Sequence, residues 1–163
     1  MNEDIFWEII ALFDWDKTGD DEAVMQPAIE RLSSMNIEDI YEFDNILSEK
    51  LFKLDGIAYA SNIGEESYRE NGEGFSVDYF LYVRCCVVAN GRNYFNKVLA
   101  DPTMMPKDMD FEALLYLARE AYNKKLATDD YDHEPRFDYE TFNNKDGWTQ
   151  LNEKQKKPRW KFW

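Results

Sequence analysis

The chain has 163 residues, 44% of them hydrophobic and 16% aromatic, and carries a formal net charge of −14. A chain of this length buries about 70% of its unfolded surface without disulfides or metals, and this apolar content excludes global disorder. Its acidity opposes binding to nucleic acid and to anionic membrane.

Taken in order, the chain reads as a series of helices. Ile5, Phe6, Ile9, Ile10, Leu12 and Phe13 fall at helical spacing, with Asn2 as the cap and Glu3 and Asp4 favourable in the first turn. A second helix starts near Glu22, tolerates Pro27 early, and is broken at Ser33–Asn36. A third starts after Asn36 and runs to about Leu54, with Ile37, Ile40, Tyr41, Leu47, Leu51 and Leu54 in register and Asp44 on the same stripe. Ile57 to Ile63 predicts a short helix, and Glu65 to Gly74 a mobile polar loop.

From Tyr79 to Ala89 every residue but Arg84 is apolar or aromatic, which predicts a fully buried central helix closed at Asn90-Gly91. Asn93 to Ala100 reads as a shorter helix stopped by Asp101-Pro102. After Pro106 another helix places Phe111, Leu114, Leu115, Ala118, Ala121 and Tyr122 on one face, capped by Asp108 or Asp110. From Thr128 the periodicity fails, although aromatic residues persist. The expectation is an all-α, compact single-domain bundle of six to seven helices around a central buried helix. Its domain spans residues 1–148, irregular from about 128, with a basic tail at 149–163. That tail is expected to be mobile or docked only through its tryptophans.

The N-terminal MNEDIFWEII is acidic and lacks a cleavage site, unlike a signal peptide. The longest apolar run falls far short of the roughly 20 residues that span a bilayer. The two cysteines, Cys85 and Cys86, are adjacent inside the most apolar run, where they read as small hydrophobes in a reducing compartment. A cytoplasmic protein is expected.

Several stretches imitate chemistry. Asp14-Trp15-Asp16-Lys17-Thr18 resembles the opening motif of haloacid-dehalogenase-like phosphatases, but that chemistry needs the pair at the end of a buried parallel strand. The same residues, with Gly19 and Asp20, imitate a calcium loop whose last position should be a bidentate Glu and is Met25. His133 is the only histidine, which leaves no transition-metal set. No glycine-rich phosphate loop is present. The sequence therefore identifies no catalytic, cofactor-binding or metal-ligating residue.

Arg84 is more informative, because a buried guanidinium must find carboxylates or carbonyls. Asp44 is in the matching predicament, and the two are expected to face one another as an ion pair fixing how two helices dock. The functional alternative is a ligand pocket floored by Arg84 and Asp44 and walled by Tyr79, Tyr82 and Tyr94. Trp7, Trp15, Trp148, Trp160 and Trp163 read as core or docking anchors.

Phe6-Trp7-Glu8-Ile9-Ile10, Glu42-Phe43-Asp44 and Phe75 to Pro102, with Gly91 and Leu99-Ala100-Asp101-Pro102, resemble a bacterial family known as domain of unknown function 4240. Tyr139-Glu140-Thr141-Phe142-Asn143-Asn144 with Gly147-Trp148 resembles the C-terminal extension of its Bacteroidetes-type members. FLYVRCCVVANGR stands where a tryptophan-rich central segment is more common, as in one branch of the family. The resemblance covers most of residues 1–148; it implies a cytoplasmic bacterial helical domain and transfers no catalytic residue.

Charge supplies the functional reading. Residues 144–163 have a net charge of +4 and the preceding 143 residues a net charge of −18. That body favours a basic protein partner, recognised through the acid-rich turns that hold Asp14, Asp16 and Asp20, Glu65 and Glu66, and Asp129 and Asp130. The leading expectation is a non-catalytic protein-interaction module, an inhibitor or immunity-type partner of a basic protein being one form of it. The alternatives are a small-ligand binder or enzyme using the Arg84 and Asp44 region, and a mimic of nucleic acid.

Overall fold

Asn2 begins the fold as the sequence implies, its side chain accepting a hydrogen bond from the Ile5 amide to cap α1 (Glu3–Ile10). The computed structural model describes residues 1–70 and 72–149. The expectation for the tail falls outside these residues from Gln150 onward. Helix α2 (Asp21–Ser33) is capped by Asp20 and carries Pro27 in its interior. Helices α3 (Ile37–Lys53), α4 (Ile57–Ala60), α5 (Val77–Ala89), α6 (Arg92–Ala100) and α7 (Leu117–Leu126) follow. The architecture is all-α, with seven α-helices, short 3-10 turns at Trp15–Lys17, Pro102–Met104 and Glu112–Tyr116, and no strand among the described residues.

Helix α5 is buried around most of its circumference, from Phe80 through Ala89, as expected of a helix that is apolar on all sides. It packs on α3, α6 and the Glu112–Tyr116 turn, while α2 and α7 form the most extensive helix pair. Gly91, at φ +88°, takes the left-handed turn that separates α5 from α6. Both cysteines are buried and unbridged, and burial raises both thiols, Cys86 to about 11. They remain protonated core residues.

Two expectations need correction. The helix after Pro106 opens as a 3-10 turn preceded by Phe111, without a side-chain cap from Asp108 or Asp110. Asp108 sits at φ +53° and accepts the Glu65 amide at 2.8 Å, tethering the loop after α4. The second correction concerns residues 127–148, which hold no helix or strand but do have a period. Tyr131, His133, Pro135, Phe137 and Tyr139 are half-buried, and the intervening Asp132, Glu134, Arg136, Asp138 and Glu140 are exposed. Alternation of this kind belongs to extended backbone lying on a surface. This strap runs along α3.

The strap is fastened at every level. Tyr131 donates to Asp44 Oδ2 at 2.8 Å, the Arg136 amide to Asn45 Oδ1 at 2.9 Å, and the Phe137 amide to Ser48 Oγ at 3.3 Å. Further on, Asn144 Nδ2 donates to the Phe52 carbonyl at 3.1 Å. Arg136 also forms an ion pair with Glu42 at 3.0 Å. The far end closes on α4, where the Ile57 amide donates to the Gly147 carbonyl at 3.0 Å. Gly147 and Gly56 meet there backbone to backbone. A methyl at 147 would be driven into the Asp55 carbonyl oxygen and would lie 2.9 Å from Gly56 Cα.

Gly147→Ala should therefore lower stability by about 2–3 kcal/mol, because the obstructing atoms are backbone and cannot rotate away. Equilibrium urea denaturation measures this, and an unchanged midpoint would show that the close approach is dispensable.

Candidate functional site

Arg84 has no exposed surface, and the structure surrounds it with oxygens from three places. Nη1 donates to the Leu51 carbonyl at 3.0 Å and to the Tyr139 carbonyl at 2.9 Å. Nη2 donates to Thr141 Oγ1 at 3.0 Å, and that hydroxyl donates onward to the Val77 carbonyl at 2.8 Å. The guanidinium carbon stands 4.7 Å from the Phe80 ring centroid, one turn earlier on α5. Nε has no hydrogen-bond partner among the described residues.

The expected ion pair with Asp44 does not form. Asp44 accepts instead from Tyr131, and Arg84 reaches the last turn of α3, the negative end of the helix, where the Leu51 carbonyl also accepts the Leu54 amide. Burial pulls the Arg84 pKa down, and the charge that most opposes this is Asp55, acting through space. Asp55 follows Asp44 by about three helical turns along the Asp44, Ser48, Leu51 stripe. The carboxylate whose charge acts on Arg84 lies just beyond the end of α3, not midway along it.

Asp55 is itself fully buried and organises the end of the strap. Oδ1 accepts from the Trp148 indole at 2.8 Å and the Phe142 amide at 3.2 Å; Oδ2 accepts from the Asn144 amide at 2.9 Å. Three donors replace the water that the carboxylate loses. Phe142 adopts φ +78° and lays its ring 4.5 Å from that of Trp148. The Tyr139–Asn144 and Gly147-Trp148 motifs are thus the residues that enclose Arg84 and Asp55.

The pocket walls named from the sequence stand elsewhere. Tyr79 and Tyr82 project from the side of α5 opposite Arg84, by the helical period. Tyr94 donates to the Met104 carbonyl at 2.7 Å. Tyr79 is raised by desolvation and then by Asp110, Asp108 and Glu66, and Tyr82 by desolvation and then by Glu112 and Asp78. The Tyr116 hydroxyl donates to Glu112 at 2.9 Å, which raises its pKa further. A tyrosine-bearing face set among carboxylates results, which no single stretch of the sequence announces. Its acids come from the loop after α4, the first turn of α5 and residues 108–112, which are distant in sequence.

The acid-rich turns occupy separate places. Asp14 accepts from the Asp16 amide at 3.3 Å and Asp20 from the Ala23 amide at 3.0 Å, both as caps. Asp129 accepts from Asn123 and Asp130 from Thr128, just beyond α7. Lys124 pairs with Glu30 and Lys125 reaches the Ser33 carbonyl, so α2 and α7 run in the same direction. The first turn and the last therefore lie at opposite ends of that pair, roughly 20 Å apart by helical rise. Glu66 joins the tyrosine-bearing face through Tyr79, and Glu65 is held to Asp108 beside it. Among the described residues no group of three or more His, Cys, Asp or Glu could hold a metal ion.

Three substitutions test these roles. Arg84→Met should cost about 3 kcal/mol or more, since two carbonyls and a hydroxyl lose their buried donor. In denaturant titrations its loss should be strongly non-additive with Thr141→Val and simply additive with Asp44→Leu. The reverse pattern would restore the Asp44 pairing.

Burial raises the Asp44 carboxyl above its ordinary 3.8, against the lowering effects of the Tyr131 hydrogen bond and the His133 and Arg119 charges. A carboxyl raised in the folded state binds more protons folded than unfolded. Its contribution to stability is then complete below pH 3.8 and is lost as pH rises through the folded value. Asp44→Asn keeps an oxygen for Tyr131 and should melt above the unmodified chain near neutral pH, the gap closing towards about pH 4. A gap that widens on acidification contradicts the assigned sign.

No curated protein and no solved structure matches the chain, and no described helix is long and apolar enough to cross a membrane. One family model does match, over residues 1–124, a range that contains α1 to α6 and most of α7. The chain belongs to the family described as protein of unknown function DUF4240.

Proposed function

We propose that this chain is a non-catalytic protein-interaction module of the bacterial cytoplasm, from a Bacteroidetes-type branch of its family, and that its partner is a basic protein. The observation that carries this reading is the tyrosine-bearing acidic face of Tyr79, Tyr82 and Tyr116 with Glu66, Asp78, Asp108, Asp110 and Glu112. Tyrosine supplies rigid contact area and a π-face for cations, and carboxylates supply charge-assisted acceptors. Lysine and arginine side chains are complementary to both. The net charge of −18 before Asn144 supplies long-range attraction of the same sign.

The ligand-pocket alternative draws little from the same geometry. Arg84 lies beneath the strap with both terminal nitrogens occupied, and Asp44 is closed over by Tyr131. An inhibitor or immunity-type role is one form of the proposed function. It would place the acidic face over a cationic substrate-binding surface of the partner.

Affinity capture at low salt with the full chain should retain a basic protein that elutes as ionic strength rises. Neutralising exposed Asp78 and Asp110 together should slow association by up to about tenfold while leaving dissociation nearly unchanged. If no specific protein is retained, and a metabolite screen raises the melting temperature of the chain but not of Arg84→Met, the ligand reading replaces this one.

A further inference from the structure

The acidic face continues past Tyr116 into a groove of about 450 Å³ between α2 and α7. Helix α2 lines it with Glu22, Met25, Gln26 and Ile29, and the other wall is Ala113, Tyr116, Glu120 and Lys124. The spacing on α2 is one helical face, with apolar Met25 and Ile29 lying deep and polar Glu22 and Gln26 at the lip. One end is closed by a satisfied network, in which Gln26 donates to Glu30 at 2.9 Å and Lys124 lies 3.8 Å from the same carboxylate. The other end opens beside the acid-rich turn that finishes at Glu22. Glu22 and Glu120, on opposite walls, have no hydrogen-bond or ion-pair partner among the described residues.

This set of groups has a specific complement. An apolar floor accepts a methylene stem, two unpaired carboxylates on opposite walls, offset by about one helical turn, accept the two edges of a planar fork of N–H donors, and a half-exposed tyrosine ring accepts a stacked cation. The Tyr116 ring already has the Arg119 guanidinium carbon 5.7 Å from its centroid, so such stacking is compatible with its surroundings. Lysine, a point charge, would meet one carboxylate and leave the other unpaired.

We infer that the α2–α7 groove receives one arginine side chain of the basic partner, its guanidinium held between Glu22 and Glu120 and its stem laid over Met25 and Ile29 beside Tyr116. The inference rests on the reading of the chain as a partner of a basic protein and names the anchor of that contact. The acidic face around Tyr79 and Tyr82 then serves as the surrounding attractive field, and the groove as the site of residue choice.

Fluorescent octa-arginine and octa-lysine peptides, equal in charge, separate these two effects in anisotropy titrations of the full chain at low salt. Octa-arginine should bind roughly tenfold tighter than octa-lysine, because only the guanidinium is bidentate. Glu22→Gln with Glu120→Gln should abolish that preference, as should Tyr116→Leu. The control Asp129→Asn with Asp130→Asn, the same change in charge outside the groove, should weaken both peptides alike and preserve it. All four acids are exposed, so an unchanged melting curve verifies folding. Equal binding of the two peptides, or a preference that survives the groove variants, overturns the arginine site and leaves the basic-partner reading standing. No binding of either peptide at low salt overturns both.

Discussion

A guanidinium with no exposed surface must be surrounded by oxygens before the helices around it can close, and in this fold that requirement sits at Arg84 on the central helix. Helix α3 meets part of it with the Leu51 carbonyl and with the Asp55 charge beyond its end. The rest comes from Tyr139 and Thr141, more than fifty residues away along the chain. Because the strap also pairs with Asp44, Asn45, Ser48 and Asp55, its position is set by a row of polar contacts as well as by aromatic burial. In this bundle the share that α3 leaves unmet is supplied by a segment that is not helical. Only extended backbone offers free carbonyls and amides along its whole length.

Most of the helices were legible because they announce themselves locally. Asn2 caps, Gly91 turns, Asp101-Pro102 stops, and the apolar positions of α1, α3 and α5 recur at the helical period. The partner of Arg84 was not legible in the same way. A periodic stripe tells which face of α3 is buried but not how far along it the neighbouring helix crosses, so Asp44 and Asp55 were equally eligible by pattern. Crossing position depends on side-chain packing between α3 and α5, which a single strand of letters does not contain. The strap was hidden for another reason. Its alternation from Tyr131 to Tyr139 has the period of a strand, yet its inner residues include histidine and proline and it pairs with no sheet. The tyrosine-bearing acidic face escaped because it is assembled from three segments and none of them is unusual alone.

The distribution of charge follows from the same architecture. The strap turns its aromatic residues towards α3 and so must present its alternate positions to water, where Asp132, Glu134, Asp138 and Glu140 add to the negative field. The acids around α5 lie on the side away from Arg84, so the buried cation does not neutralise them locally. Self-repulsion on this scale weakens a compact state, and the deep core of α5 and the polar fastening of the strap offset it. The acidic surface is therefore maintained at some cost to stability.

The family match ends at residue 124, before the strap begins, although three of the buried polar groups that the strap satisfies lie within it. Arg84, Asp55 and Asp44 would each be left without hydrogen bonds to the strap if the chain ended there. A domain of this fold without such an extension would be better served by apolar residues at those positions, because an uncompensated buried charge costs several kcal/mol. Arg84 and the Tyr139–Trp148 segment therefore form one physical unit, in which neither part is stable in place without the other. Seen this way, the apolar central helix with its single arginine and the strap's closing motif are two halves of one solution. The surfaces that remain free to act, the tyrosine-bearing face and the α2–α7 groove, are built almost wholly from the matched region. The extension secures the core from behind and leaves the surface proposed for recognition to the family fold.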